Sequence, residues 1–431
     1  MNYTKLPIVG KFYKKIKQKF DVLEKEISDV TQQNIELRFK LKKLNNEKIN
    51  VVFVCHRPAV WGSLKTVYEA MKADESFNVK IVTIPNKKQL PDLGLNHEVY
   101  ESEGAEVFWK GEDVISGYNY ETKEWIDLKV LNPDYVCFQQ PYNVCRPNVL
   151  NSNQVSKYAK IFYVAYASNF IGTGILEETS PADYVKNISL MFNQNHMDYD
   201  LLKNYFNEIG NNFTKQFLTG FPRYDNLSVY NNCESKVWSL PRSKDNFRVI
   251  WTPRWCTNEG NCHFFDYKDN LINYCQQNNT VDFVFRPHPQ AFLNWISTKE
   301  LSEQEANDYK DKYAKLSNAN IDDTKEYLTT FYSSDCMITD ISSIVAEYFL
   351  TGKPIIYCHR KDCFNDFSRK LSEGFYWVHN WQELQNTLDM LRTGNDPLKE
   401  KRMQLINSCF YIPKEGSGQS IKEIIKKDFE S

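Results

Sequence analysis

Two short stretches carry residue types suited to a phosphorylated substrate. The first is Phe283-Val284-Phe285-Arg286-Pro287-His288-Pro289, an apolar run that ends in Arg-Pro-His-Pro. Prolines fix φ and remove backbone donors, so the chain must leave a sheet there. Arg286 and His288 then stand at a strand's C-terminal end, the ligand edge of an open α/β sheet. A histidine held between two prolines, two residues after an arginine, suits a hydrogen-bond or proton donor to phosphate. The second stretch is Ser334-Asp335-Cys336-Met337-Ile338-Thr339-Asp340-Ile341-Ser342-Ser343, then Ile344 to Leu350, Gly352 and Lys353-Pro354-Ile355-Ile356-Tyr357. It predicts strand, acidic turn, helix, strand. A helix start beside a strand end offers free N–H groups and a positive dipole end, a seat for phosphate. Ser342 and Ser343 add hydroxyl donors there. Asp340 or Ser342 also suits the N-cap of that helix.

Alternating strands and helices must position these residues. Residues 50–55 predict a strand ending in His56-Arg57-Pro58, followed by a helix over 64–71 and a strand over 79–84. Further strands are expected at 106–109, 134–139, 161–166, 190–192 and 216–219, with a surface excursion at 118–128. The last strand runs into Gly220-Phe221-Pro222-Arg223-Tyr224-Asp225, where Arg223 and Asp225 either serve a ligand or pair with each other. A polar linker, 231–246, separates a second series. Its first strand, 247–251, ends in Thr252-Pro253-Arg254-Trp255. Helices follow near 267–277, 298–318, 324–333 and 381–391, with a late strand at 375–378. Glu415-Gly416-Ser417-Gly418-Gln419-Ser420 opens a final helix and is either a helix start or a second phosphate-contacting turn. The organisation expected is an N-terminal helical segment (1–46), a first α/β domain (47–230), the linker, and a second α/β domain (247–431). Two doubly wound, Rossmann-type sheets then face each other. One wall of the cleft carries His56, Tyr163, Tyr166 and Arg223. The other carries Arg254, Arg286, His288, Asp340, Ser342 and Ser343. No GxGxxG dinucleotide fingerprint is present.

The N-terminal segment differs from the rest. Ile16, Phe20, Leu23, Ile27, Val30, Asn34, Leu37, Leu41 and Leu44 alternate at spacings of four and three, an a/d heptad seam. Asn34 falls at an a position, a device that favours one register and often a dimer. A coiled coil joining two chains is the expectation, against a long helix packed on its own domain. Lys5, Lys11, Lys14, Lys15, Lys17 and Lys19 mix with Leu6, Ile8, Val9, Phe12 and Tyr13, which suits either a basic foot on an anionic membrane surface or a solvated face.

Composition narrows the function. A chain of 431 residues with net charge −2 has no global basic field to draw it to nucleic acid. Its 14% aromatic content excludes a disordered chain. The 11 cysteines form no CxxC pair, which suits reduced core thiols in a cytoplasmic compartment. Cys256, Cys262 and His263 lack the further ligand pair that zinc would need. Neither a signal peptide nor a bilayer-spanning run is read.

Arg-Pro-His-Pro, the 334–343 stretch with Glu347-Tyr348, and Lys-Pro-Ile-Ile-Tyr together resemble the CDP-glycerol glycerophosphotransferases, the teichoic-acid primases and polymerases. Gly220 to Asp225 resembles that family's glycine-proline-arginine-x-aspartate turn, and Glu415 to Ser420 its C-terminal glycine/serine segment. The resemblance covers roughly 130–425. It implies a GT-B fold, a CDP-glycerol or related CDP-polyol donor, a lipid-linked or glycan acceptor in wall or capsule synthesis, and no cofactor or metal. Arg286, Ser342 and Ser343 would hold the pyrophosphate, with Arg254 and Arg223 beside them. His288 would serve the leaving phosphate, Asp340 would orient the site or the ribose, and Glu347 would contact ribose or cytosine. The family's Trp-His-Gly-Thr-Pro has no counterpart histidine at Tyr163-Val164-Ala165-Tyr166-Ala167-Ser168, so His56 is the candidate acceptor-side base, with Tyr163 and Tyr166 on the acceptor side. A cytoplasmic location, peripheral on the inner membrane face, is the matching expectation. The alternatives are a GT-B glycosyltransferase using a nucleotide sugar and a non-catalytic scaffold assembled through the coiled coil.

Overall fold

Short apolar runs bounded by Pro, Gly and Asn form two parallel sheets, because strands covered on both faces are selected for Val, Ile, Phe and Cys throughout. The computed structural model describes residues 7–87, 99–102, 104–168, 181–324 and 326–431. Strands β1 (Ile49–Cys55), β2 (Phe77–Thr83), β3 (Val114–Ser116), β4 (Tyr135–Phe138), β5 (Lys160–Val164), β6 (Leu190–Asn193) and β7 (Lys215–Leu218) form the first sheet, in the order β3-β2-β1-β4-β5-β6-β7. The second comprises β8 (Phe247–Thr252), β9 (Val281–Phe285), β10 (Ala319–Ile321), β11 (Cys336–Thr339), β12 (Ile355–Cys358) and β13 (Tyr376–Val378), in the order β10-β9-β8-β11-β12-β13. Pairing is parallel throughout both sheets. Each sheet reverses its order beside its first strand, at β1/β4 and at β8/β11. Those are the topological switch points where open α/β sheets bind ligands. The helices used below are α1 (Pro7–Leu44), α2 (Lys65–Lys72), α3 (Phe264–Gln277), α4 (Leu328–Ser333), α5 (Ile344–Phe349) and α6 (Ser417–Glu430).

Several local expectations change. Residues 105–108 form one helical turn after Gly104, at φ 87°, and the edge strand is β3 instead. At three residues β3 is too short to print a period. The helix expected over 298–318 ends at Ala314, and Ala319–Ile321 pairs with β9. Helices at Asp366–Leu371 and Lys399–Cys409 were not anticipated. The polar 231–246 stretch is docked along the second sheet rather than loose. Trp238 is buried and donates to Ser333 Oγ at 2.8 Å, the Ser239 and Leu240 N–H groups donate to Asp282, and Arg242 grips Asp335 at 2.7 and 2.8 Å.

The larger change concerns the last helix, which was expected to close the second domain. Helix α6 returns to the first sheet and packs on α2. Ile421, Ile425 and Phe429 join the core of Val51, Phe53 and Met71. Asp428 accepts from Tyr135 Oη at 2.8 Å, Lys160 Nζ at 2.7 Å and Lys215 Nζ at 3.0 Å, while Lys422 and Lys426 reach Asp74.

The last turns of α1 dock beside α6. Ile35 and Phe39 are buried, the Phe39 ring lies 4.8 Å from Phe429, and Lys42 pairs with the buried Asp134 at 2.5 Å. Arg38 donates to the carbonyls of Pro133 and Tyr158 at 2.8 Å. No helix among the described residues is long and apolar enough to cross a membrane.

Asp428 gives a stability test. Burial alone would raise its carboxyl, but the hydrogen bond and charge of Lys160, with Lys215 and Tyr135, hold it below the usual range. A depressed carboxylate contributes stability above its unfolded pKa and loses it as pH falls through the folded value. Asp428→Ala strands the buried Lys160 ammonium. It is expected to cost about 3 kcal/mol at pH 7, read as a lower urea midpoint, with the difference from wild type shrinking below about pH 4.

Candidate active site

The parallel register aligns the C-terminal ends of β8, β9, β11 and β12 on one edge. Trp251 pairs with Phe285, Thr252 with Thr339, and Thr339 with Tyr357. The turns that follow bring together Arg254, Arg286, His288 and Asp340.

Asp340 is the buried anchor of this edge. Its Oδ2 accepts from the Arg254 N–H at 2.9 Å, the His263 N–H at 3.2 Å and His263 Nδ1 at 2.6 Å. On the far side of the ring, Trp251 Nε1 donates to His263 Nε2 at 2.7 Å. The indole can only donate, so Nε2 is the acceptor and the ring proton sits on Nδ1, facing the carboxylate. The chain Trp251–His263–Asp340 closes the 253–263 loop and sets the backbone of Arg254. His263 had been weighed only as a zinc ligand. Among the described residues no group of three or more His, Cys, Asp or Glu is placed to hold a metal. The other oxygen of Asp340, Oδ1, is buried without a hydrogen-bond partner.

Neither Asp340 nor Ser342 caps α5. Ser343 is already helical at φ −63°, ψ −26°, with no side-chain cap. The cap expected from sequence is therefore replaced by an open helix start. Ser342 and Ser343 are half-buried beside it.

His288 lies exposed on the same edge. Its Nδ1 accepts from the Gln290 N–H at 3.2 Å, which leaves the proton of the neutral ring on Nε2. Its ring is 6.0 Å from that of Trp255. Desolvation at the cleft wall, then the charges of Arg254 and Arg57, push its pKa below the ordinary value. Arg57 belongs to the turn after β1, so a charge of the first domain is felt at this histidine of the second. The sequence placed Arg57 at a strand end but drew attention to His56 instead. Arg254 itself is held by Glu259 at 2.8 Å through Nε and Nη2.

A second cluster surrounds Tyr327. Arg286 ion-pairs with Asp322 and donates to the Thr324 carbonyl at 2.6 Å. Arg223 donates to Glu347 Oε2 at 3.0 Å and to the Tyr327 hydroxyl, which in turn donates to Glu347 at 2.5 Å. Both guanidinium carbons lie 5.3 Å from the centre of the Tyr327 ring. Tyr327 and Asp322 had not been singled out. They sit in a Thr/Asp-rich turn with no period to mark them.

Two open alternatives are decided and two expectations, for Tyr163 and His56, are corrected. Arg223 and Asp225 do not pair with each other. Asp225 instead accepts from the Ser417 N–H at 2.8 Å, the Gly418 N–H at 2.9 Å and Thr66 Oγ1 at 2.7 Å. The start of α6 is thus filled by a carboxylate and is a helix start, not a phosphate turn. Tyr163 is a core residue, buried with its ring 5.6 Å from Tyr184, so it does not line the acceptor side. Tyr166 does lie nearer the surface, with its hydroxyl 2.9 Å from that of Tyr142. His56 is also buried, with Nε2 2.9 Å from Gln140 Oε1. Burial, reinforced by Arg146 and Arg57, pulls it down to about 3. A ring so desolvated and so weakly basic is a poor proton acceptor at neutral pH, and its place is to shape the turn that carries Arg57.

This is the geometry of a two-domain, GT-B-like fold with a cationic site at the switch point of the second sheet. The chain belongs to the CDP-glycerol:poly(glycerophosphate) glycerophosphotransferase family, whose sequence model matches residues 157–377. It is 24% identical over 265 residues to the minor teichoic acid biosynthesis protein GgaB of Bacillus subtilis (strain 168). That match covers 57% of this chain and 27% of the relative, so the chain spans about a quarter of that protein's length. In fold it is similar to the wall teichoic acid polymerase TagF, at 14% identity and TM-score 0.57 over 98% of both chains. It is also similar to the UDP-GlcNAc 2-epimerase of Neisseria meningitidis, at 13% identity and TM-score 0.55, over 89% of this chain and 100% of the other.

The Asp340–His263 pair predicts a specific lesion. His263→Ala leaves the Trp251 indole N–H and the Asp340 carboxylate without their buried partner. The expected cost is about 2 kcal/mol or more in unfolding free energy, with faster proteolytic cleavage within 253–263. Glu259→Ala, at an exposed site on the same loop, is expected to leave the unfolding midpoint within error of wild type.

Proposed function

We propose that this chain transfers glycerol phosphate, or a related polyol phosphate, from a CDP-activated donor to a hydroxyl of a surface polymer or lipid-linked glycan, releasing CMP. The observation that carries the reading is that Arg254, Arg286 and His288 stand together at the ligand edge of the second sheet, where the charge of Arg57 from the first domain also reaches His288. Membership of the glycerophosphotransferase family supports the donor, and the likeness to two teichoic-acid proteins supports the polymer.

In the proposed step the acceptor oxygen bonds to the β-phosphorus while the bond from that phosphorus to the bridging oxygen breaks. The hydroxyl proton goes to solvent or a base, and the bridging oxygen leaves with CMP. Such transfers need positioning and charge neutralisation more than covalent help. Arg254, Arg57 and Arg286 supply fixed positive charge, and the α5 start with Ser342 and Ser343 supplies donors. His288, neutral when the site is empty, presents Nε2–H to the leaving phosphate. A bound pyrophosphate offsets the arginine charges and raises the ring's pKa, so that it becomes a proton donor as negative charge develops. Asp340, buried beneath the edge, positions the site through the backbone of the 253–263 loop. We assign Arg223 and Glu347 to holding the two domains together. Tyr166 stays on the acceptor side. The site suits a protein working at the cytoplasmic face of the membrane, where nucleotide-activated donors are made.

A nucleotide-sugar glycosyltransferase is the second reading, favoured by the absence of a histidine from 163–168. Release of CMP from CDP-glycerol, offered with a glycan or lipid-linked acceptor, separates the two. Wild type should release CMP and His288→Ala should release about 100-fold less or lower. Turnover of a UDP- or GDP-sugar with CDP-glycerol untouched would sink the phosphotransferase reading.

The electrostatics are testable without an acceptor. NMR titration of the His288 ring in the empty protein should give a pKa below about 6.5. Arg57→Ala should move it upward, and so should saturating CDP. A ring that titrates at the ordinary value and ignores both changes would remove the proposed coupling.

A further inference from the structure

Helix α1 runs for 38 residues, about 57 Å at 1.5 Å per residue. It presents two different faces. Ile35, Phe39 and Lys42, which dock on the first domain, occupy b, f and b of the heptad whose a positions include Ile27, Asn34 and Leu41. The a/d seam points elsewhere. Leu23, Ile27, Val30, Leu37, Leu41 and Leu44 are each more than half exposed. The helix is thus packed on its own domain and still leaves a continuous apolar stripe uncovered, although isolated helices gain little from propensity and rely on such packing. A stripe this long, spaced at 3.5 residues, is the pattern that a second helix covers by knobs-into-holes packing.

We infer that the seam is covered by α1 of a second copy of this chain, in a parallel two-stranded coiled coil. Two features select that occupant. Asn34 lies at an a position, where a parallel in-register pair sets it against its own counterpart, and this arrangement favours two strands. In that register each g residue faces the e residue five positions on. Glu26 then meets Thr31 and Lys40 meets Asn45, with no like-charged pair, while Arg38, the e residue opposite Gln33, stays bound to the Pro133 and Tyr158 carbonyls of its own domain. This inference goes beyond the transferase reading and is independent of it.

The mass of the full chain in solution tests it. At tens of micromolar, light scattering on an eluting peak should give about twice the chain's 50.8 kDa. Ile27→Asp combined with Leu37→Asp should halve that mass while the far-UV spectrum is kept, since both residues are exposed and Ile35 and Phe39 are untouched. Orientation is read by oxidative cross-linking. Ile27→Cys, at an a position, should give a disulfide-linked dimer, and Asp29→Cys, at an outer c position, should not exceed the background of the native cysteines. A monomeric wild type overturns the inference, as does a dimer that survives both aspartates. Equal cross-linking at positions 27 and 29 overturns the parallel register. A wild type that stays monomeric and sediments with anionic vesicles would give the stripe to a membrane instead.

Discussion

One turn, residues 220–225, ties together everything that must stay together for the cleft to exist. Arg223 reaches into the second domain and ion-pairs with the buried Glu347 at 3.0 Å. Asp225, two residues on, accepts two N–H groups at the start of α6, which carries the chain back to the first domain. The turn is made possible by Gly220 at φ 77°, where a Cβ would come within 2.4 Å of the Tyr411 carbonyl. A buried ion pair gains little net energy over an apolar contact, yet breaking it by removing one partner is costly. Such a pair therefore acts as a register between two bodies more than as a source of stability.

The ligand edge follows a related logic. Three arginines near the cleft are each held by a carboxylate: Arg254 by Glu259, Arg286 by Asp322, Arg223 by Glu347. The side chains are thereby oriented before any ligand arrives, and reorganisation during the reaction is reduced. Asp340 does the same for backbone, gathering the Arg254 and His263 N–H groups and the His263 ring. His288 is the exception. Among the described residues it has no carboxylate partner, and the charges of Arg254 and Arg57 reach it and hold its pKa down.

The fold was largely legible in the chain. Buried parallel strands print continuous apolar runs, and the residues after them, Arg254, Arg286, His288 and Asp340, could be placed on one edge before any coordinates. What failed were features without a period or a local signature. The three-residue strands β3 and β10 are too short to show one. Tyr163 and His56 sit near strand ends just as Arg254 does, and alternation alone does not tell which side chain turns into the core. His263 was visible only as a residue between two cysteines, because its partners Trp251 and Asp340 are 12 and 77 positions away.

By itself the sequence determined the two doubly wound sheets, the place of Arg254, Arg286, His288 and Asp340 at the strand ends of the second one, and the heptad spacing of α1. These depend on local rules: periodicity, proline, and the residue types that end a strand. Tertiary structure alone decided that α6 belongs to the first domain, that Asp225 fills its N-terminus, that Arg223 and Glu347 face each other, and that the charge of Arg57 reaches His288. It also decided which face of α1 was already used. The physical reason is the same in each case. Burial and pairing between distant groups are set by how whole elements pack, and a side chain's local sequence carries no record of the partner that packing brings to it.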